Sequence, residues 1–373
     1  MEERIAVLGA NEPLIPFYRR AKALGYHVIG IAVEEGAVCK EYCDVFYPVS
    51  FADKDAVVEI CRNEKVDGIL SFSLESALPT VTYVAGKLGL VSNSEESIRL
   101  TQSKFAQRQA LEKAGIPVPK YYLIDKATDL DKVRCRFPVI VKPVDSGGSQ
   151  GICKVEAKER LLEAYSYAIR YSRTSRAIVE EFVDGREFSV EYISHHGKHY
   201  FLQITDKVTS GPPRFVEKQH HQPADIPPDV WTRIRKMVEE NLTALKIENS
   251  ASHTEIKWNS NDELFIIETG ARMGGDFISS DLVRLSTGYD FVDGAIQLAV
   301  NKFKKPVFSQ SMHSGVYFYS KLAPEVGDII KHHEKWPEIV EWEYSEEPLM
   351  EVRSNADRRG YLLYQSSKGK LVL

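Results

Sequence analysis

Cysteine is scarce in this 373-residue chain: the five residues Cys39, Cys43, Cys61, Cys135 and Cys153 are scattered. Only the stretch CKEYC brings two together, without the second Cys or His pair that a zinc ribbon requires, so free thiols in a reducing compartment are expected. Long apolar runs are absent too, and MEERIAVLGA opens on charges and passes straight into a strand. A cytoplasmic protein with no membrane segment is therefore expected. The 48 Lys and Arg residues are outnumbered by 53 Asp and Glu and form no basic block, which argues against nucleic acid as a partner. Internal repeats and low-complexity tracts are also missing.

Two nucleotide fingerprints are missing as well. The first strand turns through Gly9-Ala10-Asn11-Glu12-Pro13, without the second and third glycines of a dinucleotide loop. GxxxxGK[ST] occurs nowhere.

What the chain does have is a change of pattern along its length. Residues 1–115 alternate strand and helix signals (RIAVLGA, PLIPFYRRAKALGY, HVIGIAV, KDAVVEICRNEK, VDGILSF), which predicts a small parallel α/β domain. SEESIRLTQSKFAQRQALEKAG reads as one helix ending at Gly115, and IPVPKYYLI as an extended exit. Beyond it the pattern is mixed α+β, divided at 116–185, 186–305 and a small β-rich closing unit at 306–373. AIVEEFVDGREFSVEYI reads as a strand pair turning at Asp184-Gly185. Val230, Ile234, Met237, Val238, Leu242 and Leu245 fall at helical spacing after Pro227-Pro228-Asp229 and predict a core helix.

Two features carry chemistry. In VIVKPVDSGGSQGICKV, Lys142 ends an apolar strand and Ser146, Gly147, Gly148, Ser149, Gln150 and Gly151 follow. Glycine backbone can approach phosphate and aim several N–H groups at it while a lysine adds charge. An ordinary hairpin loop explains the same glycines. In HTEIKWNSNDELFIIETGARMGG, a hairpin around the four residues 259–262 sets Trp258 opposite Glu263 and Glu255 opposite Ile266. Alternation then gives one face to Ile256, Trp258, Phe265 and Ile267 and the other to His253, Glu255, Lys257 and Glu268. The two glutamates become diagonal neighbours able to converge on a hard cation such as Mg²⁺, and a loop one residue longer or shorter would split them. A solvated charged strand face is an equal reading.

Taken in order, these motifs resemble the ATP-grasp superfamily over roughly residues 1–305. The resemblance implies an N-terminal parallel α/β domain and two α+β lobes that enclose ATP. It implies that Lys104 and Lys142 contact the ATP phosphates, with the loop carrying Ser146, Gly147, Gly148 and Ser149 closing over them. Glu180 then lies near the adenine amino group, Phe182 and Val183 serve through hinge backbone, and Glu187 holds the ribose. Glu255 and Glu268 become ligands of Mg²⁺, with Mn²⁺ as an alternative, and Arg272 faces the reacting acyl group. Many members carry Glu-x-Asn at the second acid; here the asparagine position is Gly270, which leaves the second magnesium's coordination open.

HTEIK together with ETGARMGGDF is most similar to ligases that join L-amino acids into dipeptides, and the segment after Arg272 lacks the pattern of bicarbonate-activating members. Substrate-side candidates implied by the likeness are Glu75, Lys207, Arg214, His220 and Gly275. Plain readings stand beside several of them: Arg272 pairing with Asp276 or Asp281, Glu75 as a helix-start acid, Arg214 as a loop charge, His220 as a neutral surface histidine. The function implied is an ATP-dependent carboxylate–amine ligase acting on small molecules, amino acids first among them, with a homodimer left open. A carbamate-forming or purine-pathway ligase, and a nucleotide-binding module without catalysis, are the alternatives.

Overall fold

In the computed structural model, residues 2–148, 150–212 and 215–373 are described. The N-terminal strands β1 (Arg4–Leu8), β2 (His27–Ile31), β3 (Val45–Tyr47) and β4 (Gly68–Leu70) form a parallel sheet in the order β3-β2-β1-β4. Helices α1 (Ile15–Ala23), α2 (Lys54–Asn63) and α3 (Leu78–Leu88) connect or follow them. Apolar runs such as Ile5-Ala6-Val7-Leu8 are buried whole, as a sheet covered on both faces requires.

The single helix expected between residues 94 and 115 is two: α4 (Glu95–Thr101) and α5 (Lys104–Lys113). Ser103 breaks it, because its Oγ accepts from the Ala106 N–H and starts a new helix. The break puts Lys104 on the first turn of α5, where its ammonium turns into the interior.

A second sheet, β5-β8-β6-β7, is built from β5 (Tyr121–Ile124), β6 (Val139–Pro143), β7 (Cys153–Val155) and β8 (Ala177–Glu181), all antiparallel and backed by α6 (Leu161–Ala168). The third sheet has eight strands in the order β13-β12-β9-β10-β11-β14-β16-β15. Its members are β9 (Arg186–His195), β10 (Lys198–Thr209), β11 (Glu217–Gln222), β12 (Ser250–Trp258), β13 (Leu264–Gly270), β14 (His313–Tyr319), β15 (Ile339–Tyr344) and β16 (Gly360–Ser366). The amphipathic helix α7 (Pro228–Ala244) forms as the spacing predicts, with Val230, Ile234, Met237, Val238 and Leu242 in the core.

Two expectations are corrected. AIVEEFVDGREFSVEYI is not a strand pair: β8 ends in the second sheet and β9 begins in the third, so residues 182–185 are the crossing between them. Gly185 is required there, since its φ is +100° and a Cβ would lie 2.1 Å from the Trp258 carbonyl oxygen. The C-terminal strands are also no separate layer, because β14 pairs with β11 and extends the large sheet.

Candidate active site

The first determinant is the register of β12 and β13. Five residues, not four, close the turn, so Trp258 opposes Leu264, with Asp262 at a left-handed φ of 62°. Alone this would send the two glutamates to opposite faces. A bulge compensates: Ile256 pairs with Ile266, but Glu255 pairs with Glu268, leaving Ile267 as the extra residue. Glu255 and Glu268 are therefore directly opposed rather than diagonal. The expected faces change too, for Ile266 is buried while Ile267 lines the cleft.

Three buried lysines surround this pair. Lys104 Nζ donates to Glu268 Oε1 at 2.7 Å and to the Ser146 carbonyl at 2.5 Å. Lys207, on β10, lies 2.7 Å from Glu255, 3.1 Å from Glu217 and 3.2 Å from Glu187. Burial opposes its charge, but the carboxylates of Glu217, Glu255 and Glu187 outweigh that and raise its pKa well above the usual lysine value. Lys142, on β6, lies 2.7 Å from Glu180, which also takes a bidentate fork from Arg108 on α5 at 2.6 and 3.2 Å. Burial works against the Glu180 charge, yet Arg108 and Lys142 together hold the carboxyl at about 2. Lys142 is itself pulled down by burial, against the attraction of Glu180.

The glycine loop folds over this cluster. Asp145 anchors its start by accepting from Ser172 Oγ, Thr174 Oγ1 and the backbone N–H groups of Arg173 and Thr174. Ser146, Gly147 and Gly148 then line a cleft of about 330 Å³ together with Lys104, Lys142, Lys207, His220, Glu255, Glu268, Arg272 and Gly275. An adjoining cavity of about 490 Å³ shares Lys207 and is lined by Phe182 and Glu187. Glu180 is buried behind the first cleft, and Val183 sits on the crossing between the sheets. Lys154 and Lys257 stand over the Phe182 ring, their Nζ atoms 4.5 and 5.1 Å from its centre. Ser149 and Arg214 lie outside the described residues.

Arg272 does not pair with Asp276 or Asp281, which are held by Arg358 and Arg284. Its Nη1 donates to the Met273 carbonyl, its Nε lies 3.9 Å from Glu75 Oε2, and that Nε has no hydrogen-bond partner. Glu75 is raised by burial, which the neighbouring Arg272 partly offsets. His220 is not a surface residue: it is fully buried, burial holds it neutral at about 3, and neither ring nitrogen is hydrogen-bonded. Beside it, burial lifts the Glu217 carboxyl to about 7 despite Lys207.

The sequence reading passed over several residues here. Glu191 and Asn355 come from a distant strand and loop, and Asp276 was considered only as a partner for Arg272; Asn355 Nδ2 donates to Asp276 Oδ2 and its Oδ1 accepts from the Glu217 N–H. Glu191 accepts from His253 at 2.5 Å and from Ser279 at 2.8 Å, and Ser279 Oγ in turn accepts from the Gly274 N–H. His253 was legible as a neighbour of Glu255; Glu191, inside an apolar strand pattern, carried only its charge as a signal.

Among the described residues no group of three or more His, Cys, Asp or Glu is arranged to hold a metal. The donor chemistry of Glu255 and Glu268 still fits Mg²⁺, which uses one or two protein carboxylates and takes its remaining oxygens from phosphate and water. The orphaned Arg272 Nε beside them fits an anionic oxygen. Among the described residues no helix is long and apolar enough to cross a membrane.

An antiparallel two-lobed cleft with a glycine loop, strand lysines and opposed carboxylates defines an ATP-grasp fold. The ATP-grasp domain family model matches residues 135–281, so that part of the chain carries an ATP-grasp domain. The L-amino acid ligase of Bacillus licheniformis superposes with a TM-score of 0.82 at 22% identity, covering 98% of this chain and 93% of that one. The D-alanine–D-alanine ligase of Enterococcus faecalis is 30% identical over 178 residues, 45% of this chain and 50% of the relative. A formate-dependent phosphoribosylglycinamide formyltransferase of Erythrobacter litoralis is 26% identical over 258 residues, 65% of this chain and 63% of that protein. The chain thus spans between 49% and 63% of the length of the first curated relatives it matches.

Proposed function

We propose that the protein is an ATP-dependent carboxylate–amine ligase that joins small molecules, amino acids first among them, and releases ADP and phosphate. The observation that carries this reading is the opposed pair Glu255 and Glu268, each held by a lysine, with the unpartnered Arg272 Nε in the same cleft. In this reading Lys104 and Lys142 hold the ATP phosphates and the loop at 146–148 covers them. Glu180, Phe182 and Val183 border the base, and Glu187 takes the ribose hydroxyls. Mg²⁺ bound by Glu255 and Glu268 would offset charge on the phosphate oxygens as the phosphoryl group moves.

The chemistry balances in two displacements. A carboxylate oxygen of the first substrate attacks the γ-phosphorus, the bond to ADP breaks, and an acyl phosphate forms. The amine of the second substrate attacks the acyl carbon, phosphate leaves with the bonding pair, and the amine proton passes to that phosphate. Arg272 stabilises the oxygen charge that develops at the acyl centre. Glu75 and Arg272, 3.9 Å apart, offer an anion and a cation to the two charged ends of one amino acid. Glu217, His220 and Gly275 line the same cleft and receive the second substrate.

The test is incubation with Mg-ATP and pooled L-amino acids, with nucleotide products resolved by chromatography. ADP and phosphate formed only when amino acids are present are expected. AMP with pyrophosphate would refute the acyl-phosphate route, and bicarbonate-dependent ADP formation without amino acids would transfer the reading to carbamate chemistry.

A further inference from the structure

Strand β13 is the outer strand of the large sheet, so its free edge has no strand partner. Backbone groups on a buried edge must still be satisfied. Helix α5 does this with side chains. Gln107 Nε2 donates to the Thr269 carbonyl at 2.9 Å, and Gln107 Oε1 accepts from the Thr269 N–H at 3.0 Å, the two bonds a neighbouring strand would make. Arg108 Nη2 donates at 2.7 Å to the carbonyl of Ile267, the bulged residue. Between these two anchors Glu268 meets Lys104 from the same helix.

Three residues of one helix thus read three consecutive residues of one strand, and the register they enforce is the one that turns Glu268 toward Glu255. Without the bulge, Glu268 would fall on the Ile266 side and face the core. Gln107 and Arg108 are fully buried, and Gln107 Nε2 also donates to the Thr101 carbonyl at 2.6 Å, which fixes its amide orientation. Asn241 completes the seat by donating to Thr269 Oγ1 at 2.9 Å.

We propose that Gln107 and Arg108 are positioning residues: α5 acts as a surrogate strand that locks the bulge at Ile267, and so couples the metal carboxylate Glu268 to the helix that carries Lys104. This rests on the ligase reading only in taking Glu268 as a metal ligand. Neither residue touches substrate; both act through the backbone on either side of that carboxylate.

The experiment uses the full chain, a non-hydrolysable ATP analogue and calorimetric titration at a series of Mg²⁺ concentrations. Gln107→Met keeps the volume and removes both strand-like bonds. It is expected to raise the Mg²⁺ concentration giving half-maximal analogue affinity by about fivefold or more, the scale of a lost buried hydrogen-bond pair, while metal-free analogue affinity stays within about twofold. Arg108→Lys, which keeps a charge for Glu180 but loses the Nη2 bond to the Ile267 carbonyl, is expected to move the profile the same way. It serves as the readout should Gln107→Met not fold. A lowered thermal midpoint with a Mg²⁺ profile superimposable on wild type would overturn the inference and leave the ligase reading intact. Failure of wild type to bind the analogue at any Mg²⁺ concentration would overturn both.

Discussion

Glu180 offers the sharpest energetic test, because a single carboxylate there balances two buried cations. Arg108 is fully buried, and Glu180 and Lys142 are 3% and 4% exposed. Glu180→Gln keeps the shape and leaves Arg108 and Lys142 charged without a counter-ion. Removing one partner of a buried ion pair costs about 3–5 kcal/mol. An independent estimate follows from the carboxyl itself: holding it at about 2 instead of its ordinary 4.5 corresponds to about 3 kcal/mol. The two agree in scale.

At roughly 2–4 °C per kcal/mol for a unit of this size, the first thermal transition of Glu180→Gln should fall by about 6–12 °C at pH 7. The sign of the pH dependence is fixed. Because the folded carboxyl is depressed, its stabilisation is complete above the unfolded value of about 4.5 and is lost as pH falls toward 2. Urea midpoints measured from pH 7 to pH 3.5 should therefore show a constant gap between wild type and variant down to about pH 4.5. Below that the gap should narrow, by about 1 kcal/mol per pH step. Adding Arg108→Met to Glu180→Gln should recover part of the loss, giving a clearly non-additive cycle. Equal midpoints at pH 7, or a gap that widens in acid, would refute the charge-balance account.

Further predictions follow from the same geometry. Glu268→Gln should abolish ligation while an ATP analogue still binds at the base side, and unaffected turnover would remove Glu268 from the metal site. Because Glu255 and Glu268 are each already balanced by an ammonium at 2.7 Å, Mn²⁺ alone should bind only weakly. Its affinity by paramagnetic resonance should rise at least tenfold with ATP present, so tight nucleotide-free binding would contradict the arrangement. Gly185→Ala should cost on the order of 1–3 kcal/mol or more, since it combines a φ of +100° with a contact to the Trp258 carbonyl, whereas Gly25→Ala, with open space around its Cβ position, should be limited to the backbone cost of its own positive φ. A Gly185→Ala variant as stable as wild type would show that the crossing between the sheets can relax.

The parts of the site that follow from local pattern were legible. Lys142 at the end of an apolar strand, the glycines after it and the two acids of the β12–β13 stretch all announce themselves within a few residues. What depends on non-local pairing was not. Turn length predicted a four-residue loop at 259–262, and only Asp262 in a left-handed conformation, together with the bulge at Ile267, yields the observed register. Two deviations of one residue each cancel, so the sequence count reached the correct face by an incorrect route. The Asp184-Gly185 pair likewise looks like a hairpin turn, because nothing local distinguishes a strand that pairs with its predecessor from one that joins another sheet. Asn355, 138 residues from Glu217, had no sequence signal at all.

Gly270 sharpens the same lesson. From sequence it is a missing asparagine, a donor lost from the second metal acid. In the structure the Arg272 side chain folds back over it: a Cβ at Gly270 would lie 3.2 Å from both Arg272 Cγ and Nε and 3.4 Å from Cζ. A side chain there would press on the Arg272 side chain, which would have to give by a few tenths of an ångström; its Nε now lies toward Glu75. The glycine thus exchanges one neutral oxygen donor for room to bring a cation down beside the carboxylate pair. An arginine in that position suits an anionic carboxylate or phosphate, and the two opposed glutamates retain the hard oxygens that a magnesium ion would share with the phosphates. On the proposed reading, the residue that looked like a defect on the nucleotide side is a condition for the acyl side.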